Sequence, residues 1–373
     1  MRVQVKTSAG SGIRVGQLMV IGFEGTAMTS HLASLLSRIQ PAGIILFARN
    51  LASAEQTHQL LRDCQAWVDT PLLLAVDMEG GTVDRLKDVL APAPSAAEVF
   101  ATGDRKLFRA HGRMIGDNCR ALGFNTNFAP ALDLAFPGAR KVMPGRVVSD
   151  QPKQVVAYAR QFLLGLSDAG VLGCGKHFPG LGEASLDTHY KLPAVQKPFK
   201  KLWEQDLYPY RALRRELPMV MVSHAAYPEV TGNNGPASLS RKWIAGVLRE
   251  KIGYRGVVVS DDLEMKGVLK AGPVHQAAVG HIRAGGNLCL ICHDEDSIVR
   301  AHQALLEETQ RDRKFAKQAD ESFQRTLRLK ARSPGLRRMA PRPSPAKIEN
   351  LSRRLWEFSE RLRLETLARM EPS

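Results

Sequence analysis

Short apolar runs recur along the chain, each closed by glycine, proline or a polar turn: residues 17–23, 43–47, 72–77, 124–130, 171–177, 219–224, 256–261 and 287–292. Runs of this length and spacing predict β-strands. Between them lie stretches long enough for helices, among them 53–68, 105–122, 154–169, 203–216, 241–252 and 274–284. Strands that alternate with helices predict parallel pairing through crossover connections. Several runs, such as Leu72 to Val76 and Val257 to Val259, are apolar at every position, as required of strands buried on both faces. Eight such units over about 290 residues predict an α/β protein, a (β/α)8 TIM-type barrel forming a single catalytic domain with a C-terminal helical extension. A doubly wound open sheet is the alternative. Asp77, Asn127, His177, His224, Asp261 and His293 stand at or just after the C-terminal ends of these runs. In a barrel those ends share the rim where active sites are built.

The pattern changes near residue 330. Residues 331–346 are rich in proline and arginine and read as an extended linker. In 347–373, Ile348, Leu351, Leu355, Phe358, Leu362 and Leu367 recur at helical spacing among Arg and Glu, predicting an amphipathic helix. The barrel domain is expected to span 1–330. The chain carries 52 basic and 37 acidic residues, a net charge of +15, and 17 basic against 8 acidic residues fall from Arg311 onward. The excess charge is thus mainly a property of the tail. Two readings of it stay open: a solvated face of a helix packed on the barrel, or contact with anionic surfaces such as nucleic acid or membrane.

Composition excludes other classes. At 44 % hydrophobic and 24 % charged residues the chain is that of an ordinary globular protein. It has no apolar run long enough for a transmembrane span, and residues 1–11 lack the apolar segment of a secretory signal, so no leader is expected. Five scattered cysteines, an odd number, fit reduced core thiols better than a disulfide framework, so a cytoplasmic location is expected. Cys289-Leu-Ile-Cys292-His293 matches a haem-attachment spacing, but in a strand positions i and i+3 face opposite sides, which disfavours both haem and zinc.

Three stretches gather polar chemistry. In Gly173 to Pro193, Lys176 and His177 end a strand, glycines and a proline break regular structure, and Asp187 and His189 follow two residues apart. In an extended loop such a pair points one way, so Asp187 would hold the His189 imidazole and raise its pKa toward that of a general acid. A surface Asp-x-His without a role is the alternative. In Val257 to Gly267, the adjacent carboxylates Asp261 and Asp262 emerge from a buried strand. One is expected to face the pocket as nucleophile or electrostatic stabiliser; Asp262 is read instead as the N-cap of the following helix. In Ala75 to Leu86, Asp77, a Gly-Gly pair and Arg85 suggest a grip for hydroxyls or carboxylate. No phosphate-binding glycine fingerprint follows any strand.

Together with GFNTNFAPALDL (123–134), GRVVSD (145–150) and PMVMVSHAAYP (218–228), these stretches resemble glycoside hydrolase family 3, in particular its single-domain β-N-acetylhexosaminidases of the cell-wall recycling type, over residues 13–330. The resemblance implies a retaining exo-glycosidase. Asp261 would be the nucleophile, His189 the acid/base and Asp187 its orienting partner, with Asp77, Arg85, Arg146, Lys176 and His177 holding the sugar. It implies no metal and no organic cofactor. The expected substrate is a small carbohydrate ending in β-linked N-acetylglucosamine, an amino-sugar oligosaccharide or muropeptide, and no nucleic acid is required. A β-glucosidase or a β-glycosyl phosphorylase of the same family stays open. Departures from the family pattern occur at Leu181, Glu183 and Ala184, where members carry His and a polar pair, and at Met78 and Thr82, where they carry Gln and Arg.

Overall fold

The computed structural model describes residues 14–183 and 193–370. Eight strands form a closed barrel: β1 (Met19–Ile21), β2 (Gly43–Leu46), β3 (Leu73–Val76), β4 (Thr126–Asn127), β5 (Leu172–Phe178), β6 (Met219–Val222), β7 (Val257–Asp262) and β8 (Leu288–Ile291). Each pairs in parallel with its chain neighbours, and β8 closes on β1 in the register Met19 opposite Cys289. The closed order decides for the barrel over the open sheet.

The two-residue alternation of strands divides the apolar side chains into two cores. Val20, Ile45, Ala75, Cys174, Met221, Val259 and Leu290 pack together as one cluster. Their neighbours Ile21, Ile44, Leu74, Val220, Val258 and Ile291 belong to the other, which includes the helices. Full apolarity of the strands in sequence therefore reflects two filled faces.

Helices α1 (Arg105–Ala121) and α2 (Pro152–Asp168) flank the strands on one side. The predicted helix over 203–216 is divided into Phe199–Glu204 and Tyr208–Leu213, with Pro209 in the first turn of the second piece, where a missing N–H costs nothing. Farther on, α3 (Val274–Ala284), α4 (Glu295–Arg311) and α5 (Arg313–Arg332) complete the ring, α5 capped by Asp312.

The segment read as an extended linker is docked. Pro334–Arg337 makes a helical turn with Leu336 buried, and a Cβ on Gly335 would stand 1.8 Å from the Gly170 carbonyl oxygen. Helix α6 (Pro345–Met370) then lies along α1. It buries Leu351, Leu355 and Leu362, sets Phe358 against His111, and joins Arg354 to Asp117 at 3.2 Å. Its other face exposes Trp356, Leu364 and Leu367. No described helix is long and apolar enough to cross a membrane.

Candidate active site

The rim at the C-terminal ends of the strands carries a continuous network of charge. Asp77 follows β3, and a short antiparallel hairpin, Met78–Gly80 with Val83–Asp84, rises after it. Asn127, at the end of β4, fixes that hairpin by accepting from the Met78 N–H at 2.9 Å and donating to the Met78 carbonyl at 2.7 Å. Asn127 thus holds backbone. Gly80 has φ +85°, and a Cβ there would stand 2.0 Å from the Pro94 carbonyl oxygen, so only glycine lets the hairpin close.

Glu79 is the hub. Its carboxylate accepts two hydrogen bonds from Arg146, at 2.8 and 2.9 Å, and pairs with the Lys176 ammonium at 2.7 Å. Lys176 also donates to Asp77 at 2.7 Å. Burial alone would raise the Glu79 carboxyl, but the neighbouring Lys176 and Arg146 cations hold it at about 2. The reciprocal effect outweighs burial at both cations: Lys176 is raised by Asp77 and Glu79, and Arg146 by Glu79.

Beside Lys176, His177 sets its Nδ1 2.7 Å from Asp133 Oδ2, and Arg146 lies 3.4 Å from its Nε2. Asp133 also accepts the N–H groups of His177 and Leu181. Burial opposes its ionisation, and the His177 charge and hydrogen bonds overcome this to keep its pKa low. Asp77, Glu79, Asp133, Arg146, Lys176 and His177 therefore form one array whose geometry is set before any ligand arrives. Fixed donors and acceptors at this spacing suit the hydroxyls of a polar ring.

Asp261 is on β7, at the same rim, and its Oδ1 accepts the N–H of Asp262 at 2.9 Å. Below it, buried His224 bridges the Asp262 carbonyl at 2.8 Å and the Ser238 hydroxyl at 2.7 Å, anchoring the end of the strand. Asp262 does not cap a helix: its carboxylate accepts the N–H of Glu264 at 3.1 Å in a tight turn, and the next helical residues begin at Lys266. Burial, with the charges of Glu264 and Asp261, pushes the Asp262 carboxyl up to about 7. Glu264 accepts three successive N–H groups, from Cys292, His293 and Asp294, and latches the β7 loop to the β8 loop. Asp262, Glu264 and His293 have ligand atoms within reach of one ion. Both Glu264 oxygens are already taken by the backbone, so the group reads as that latch.

Of the residues expected at the site, Asp77, Arg146, Lys176 and His177 meet in the network. Arg85 joins no ion pair there among the described residues; its guanidinium lies 5.9 Å from the Phe47 ring. Asp187 and His189 lie outside the described residues. Glu79 and Asp133 were not expected, although both sit inside stretches singled out in sequence, and Glu79 is two residues from Asp77. Among the departures, Met78 is a core side chain, Thr82 donates to the Pro144 carbonyl at 3.1 Å, and Glu183 lies 3.4 Å from Lys197.

Comparison with known proteins decides the family. Residues 13–329 match the Glycosyl hydrolase family 3 N terminal domain. The chain belongs to glycosyl hydrolase family 3. A Beta-hexosaminidase of Idiomarina loihiensis is 33 % identical over 300 residues, 79 % of this chain and 89 % of that protein. One of Alkalilimnicola ehrlichii is 36 % identical over 291 residues, 76 % and 82 % of the two chains. The solved family 3 beta-N-acetylglucosaminidase of a Paenibacillus species superposes with a TM-score of 0.84 at 34 % identity, covering 94 % of this chain and 69 % of its own. This family 3 protein is a glycoside hydrolase on a (β/α)8 barrel, and the charged network lies at the rim where such barrels carry their chemistry.

Proposed function

We propose that the protein is a retaining exo-β-N-acetylhexosaminidase that releases terminal β-linked N-acetylglucosamine from small amino-sugar oligosaccharides, muropeptides or chitin-type fragments. One observation carries the reading: a strand-borne carboxylate, Asp261, shares its rim with a preorganised charged array built on Asp77, Glu79, Arg146, Lys176 and His177. The names of the relatives and of the Paenibacillus structure support the amino-sugar substrate. Five buried free thiols support a reducing, cytoplasmic setting, in keeping with turnover of wall fragments.

The chemistry is a double displacement. An Asp261 oxygen bonds to the anomeric carbon as the bond to the leaving oxygen breaks, and His189, protonated and oriented by Asp187, gives that oxygen its proton. The neutral imidazole then takes a proton from water, whose oxygen displaces the carboxylate and frees the sugar with its β configuration. Arg85 and the network would hold the ring through both steps.

The test compares chromogenic β-N-acetylglucosaminide and β-glucoside, each with and without phosphate, with NMR of the first-formed anomer. The proposal expects preference for the N-acetyl sugar, free β-sugar as first product and no dependence on phosphate. Glucoside preference would make it a β-glucosidase, and a sugar 1-phosphate a phosphorylase. A first-formed α-anomer would end the double displacement.

A further inference from the structure

We propose that Phe47 and His293 form a binding platform for a second sugar ring, on the leaving-group side of the bond cleaved. The proposal rests on the glycosidase reading above and adds to it a site for the aglycone.

Phe47 directly follows β2, and His293 lies two residues beyond β8. These strands flank β1 in the barrel. At the tip of β1 stands Gly22, where a Cβ would lie 2.1 Å from the Cys292 carbonyl oxygen, so that position places no side chain between the two tips. The Phe47 and His293 rings stack across the gap, with centroids 5.5 Å apart and planes 24° from parallel.

The pair is braced. The Arg49 guanidinium sits 4.7 Å from the Phe47 ring, donates to the Cys292 carbonyl at 2.7 Å and pairs with Glu24. The His293 N–H is held by Glu264 at 2.6 Å, and its Nε2 lies 3.8 Å from the Asp262 carboxylate. Yet the His293 side chain is 51 % exposed. An aromatic ring fixed at backbone, face and edge while open to solvent has lost its rotamer freedom before binding anything, which lowers the cost of stacking a ligand on it.

Its place on the rim says which ligand. Around the barrel, Asp77 follows β3 next to β2, and Asp261 ends β7 next to β8. The platform therefore forms the wall between these two carboxylates, opposite β5 with Lys176 and His177. Near it, the Arg85 guanidinium lies 5.9 Å from the Phe47 ring, and its buried Nε has no hydrogen-bond partner among the described residues. A pyranose presents C–H groups on its faces, which match the exposed face of an aromatic ring. The network opposite engages the sugar that is cleaved, leaving the exposed His293 face for the next ring outward.

The test measures kcat/KM of the full chain on N,N′-diacetylchitobiose, whose leaving group is a sugar, and on β-N-acetylglucosaminyl azide, whose leaving group has no ring. In His293→Ala the chitobiose-to-azide ratio is expected to fall about tenfold, mainly through KM for chitobiose, in line with loss of a ring-stacking contact. His293→Phe, which keeps a ring and removes the titratable nitrogens, is expected to restore most of the ratio. An unchanged ratio in His293→Ala overturns the proposal, because the wall then serves the cleaved sugar or the Asp261 loop. A ratio that falls equally in both variants also overturns it, since the imidazole nitrogens and not the ring face would be acting. A wild-type chain that cleaves neither compound overturns the N-acetylhexosaminidase reading itself.

Discussion

Replacing Glu79 by Gln removes one charge from the centre of the rim network while keeping the shape of the side chain. In the folded protein Glu79 is 4 % exposed and is shared by Arg146 and Lys176. Its carboxyl is held at about 2 against an ordinary value of 4.5, which corresponds to about 3 kcal/mol of native-state stabilisation. Removing one partner of a buried pair costs a similar amount, about 3–5 kcal/mol, because the remaining charges stay desolvated. The pH dependence has a definite sign. A depressed carboxyl contributes its full stabilisation above pH 4.5 and loses it as pH falls toward 2. Urea unfolding followed by tryptophan fluorescence is therefore expected to show Glu79→Gln less stable than wild type by about 3 kcal/mol at pH 7, the gap narrowing as pH drops below 4.5. Equal stability at pH 7, or a gap that does not change on acidification, would refute the assignment of Glu79 as the charged hub.

Other outcomes follow from the same geometry. Asp262 is raised to about 7 by burial, so the native state binds an extra proton between pH 3.8 and 7 and pays an increasing cost as pH rises through that window. In paired urea titrations, Asp262→Asn is expected to gain stability relative to wild type from pH 4 to pH 8, and no gain would contradict the burial argument. Leu355, fully buried between α6 and the barrel, is expected to cost about 2–5 kcal/mol on truncation to Ala, whereas Trp356→Ala on the exposed face should change stability by less than about 0.5 kcal/mol. Equal effects would mean that α6 is not anchored as described. His189→Ala is expected to slow glycosides with poor leaving groups far more than activated aryl glycosides, and losses independent of leaving-group pKa would remove His189 from the acid/base role.

The barrel was legible because each strand carries its own signal. Val257 to Val259 and Leu72 to Val76 are apolar on both faces, and a residue such as Asp77 or Asp261 marks where each strand leaves the core. Side-chain partnerships were less legible. Glu79 reads as one more acidic residue in a hairpin until Arg146, 67 positions away, is brought to it by the fold. Asp133 likewise acquires meaning only from His177. Asn127 stood at the rim as expected, yet its amide is spent on the Met78 backbone, since hydrogen-bonding capacity in sequence does not say whether backbone or ligand will use it. The proline-rich stretch around residue 335 looked extended from composition alone. Its docking depends on a glycine-to-glycine contact with residue 170, which no local pattern records.

The central claim, that Asp261 attacks the anomeric carbon, is tested most directly by trapping the glycosyl-enzyme. The full chain is incubated with an activated 5-fluoro β-N-acetylglucosaminyl fluoride and analysed by intact-protein and peptide mass spectrometry. The account predicts one added sugar per chain, on the peptide containing Asp261, and none in Asp261→Asn. An adduct on any other residue, or turnover of the reagent with no adduct at all, would contradict it.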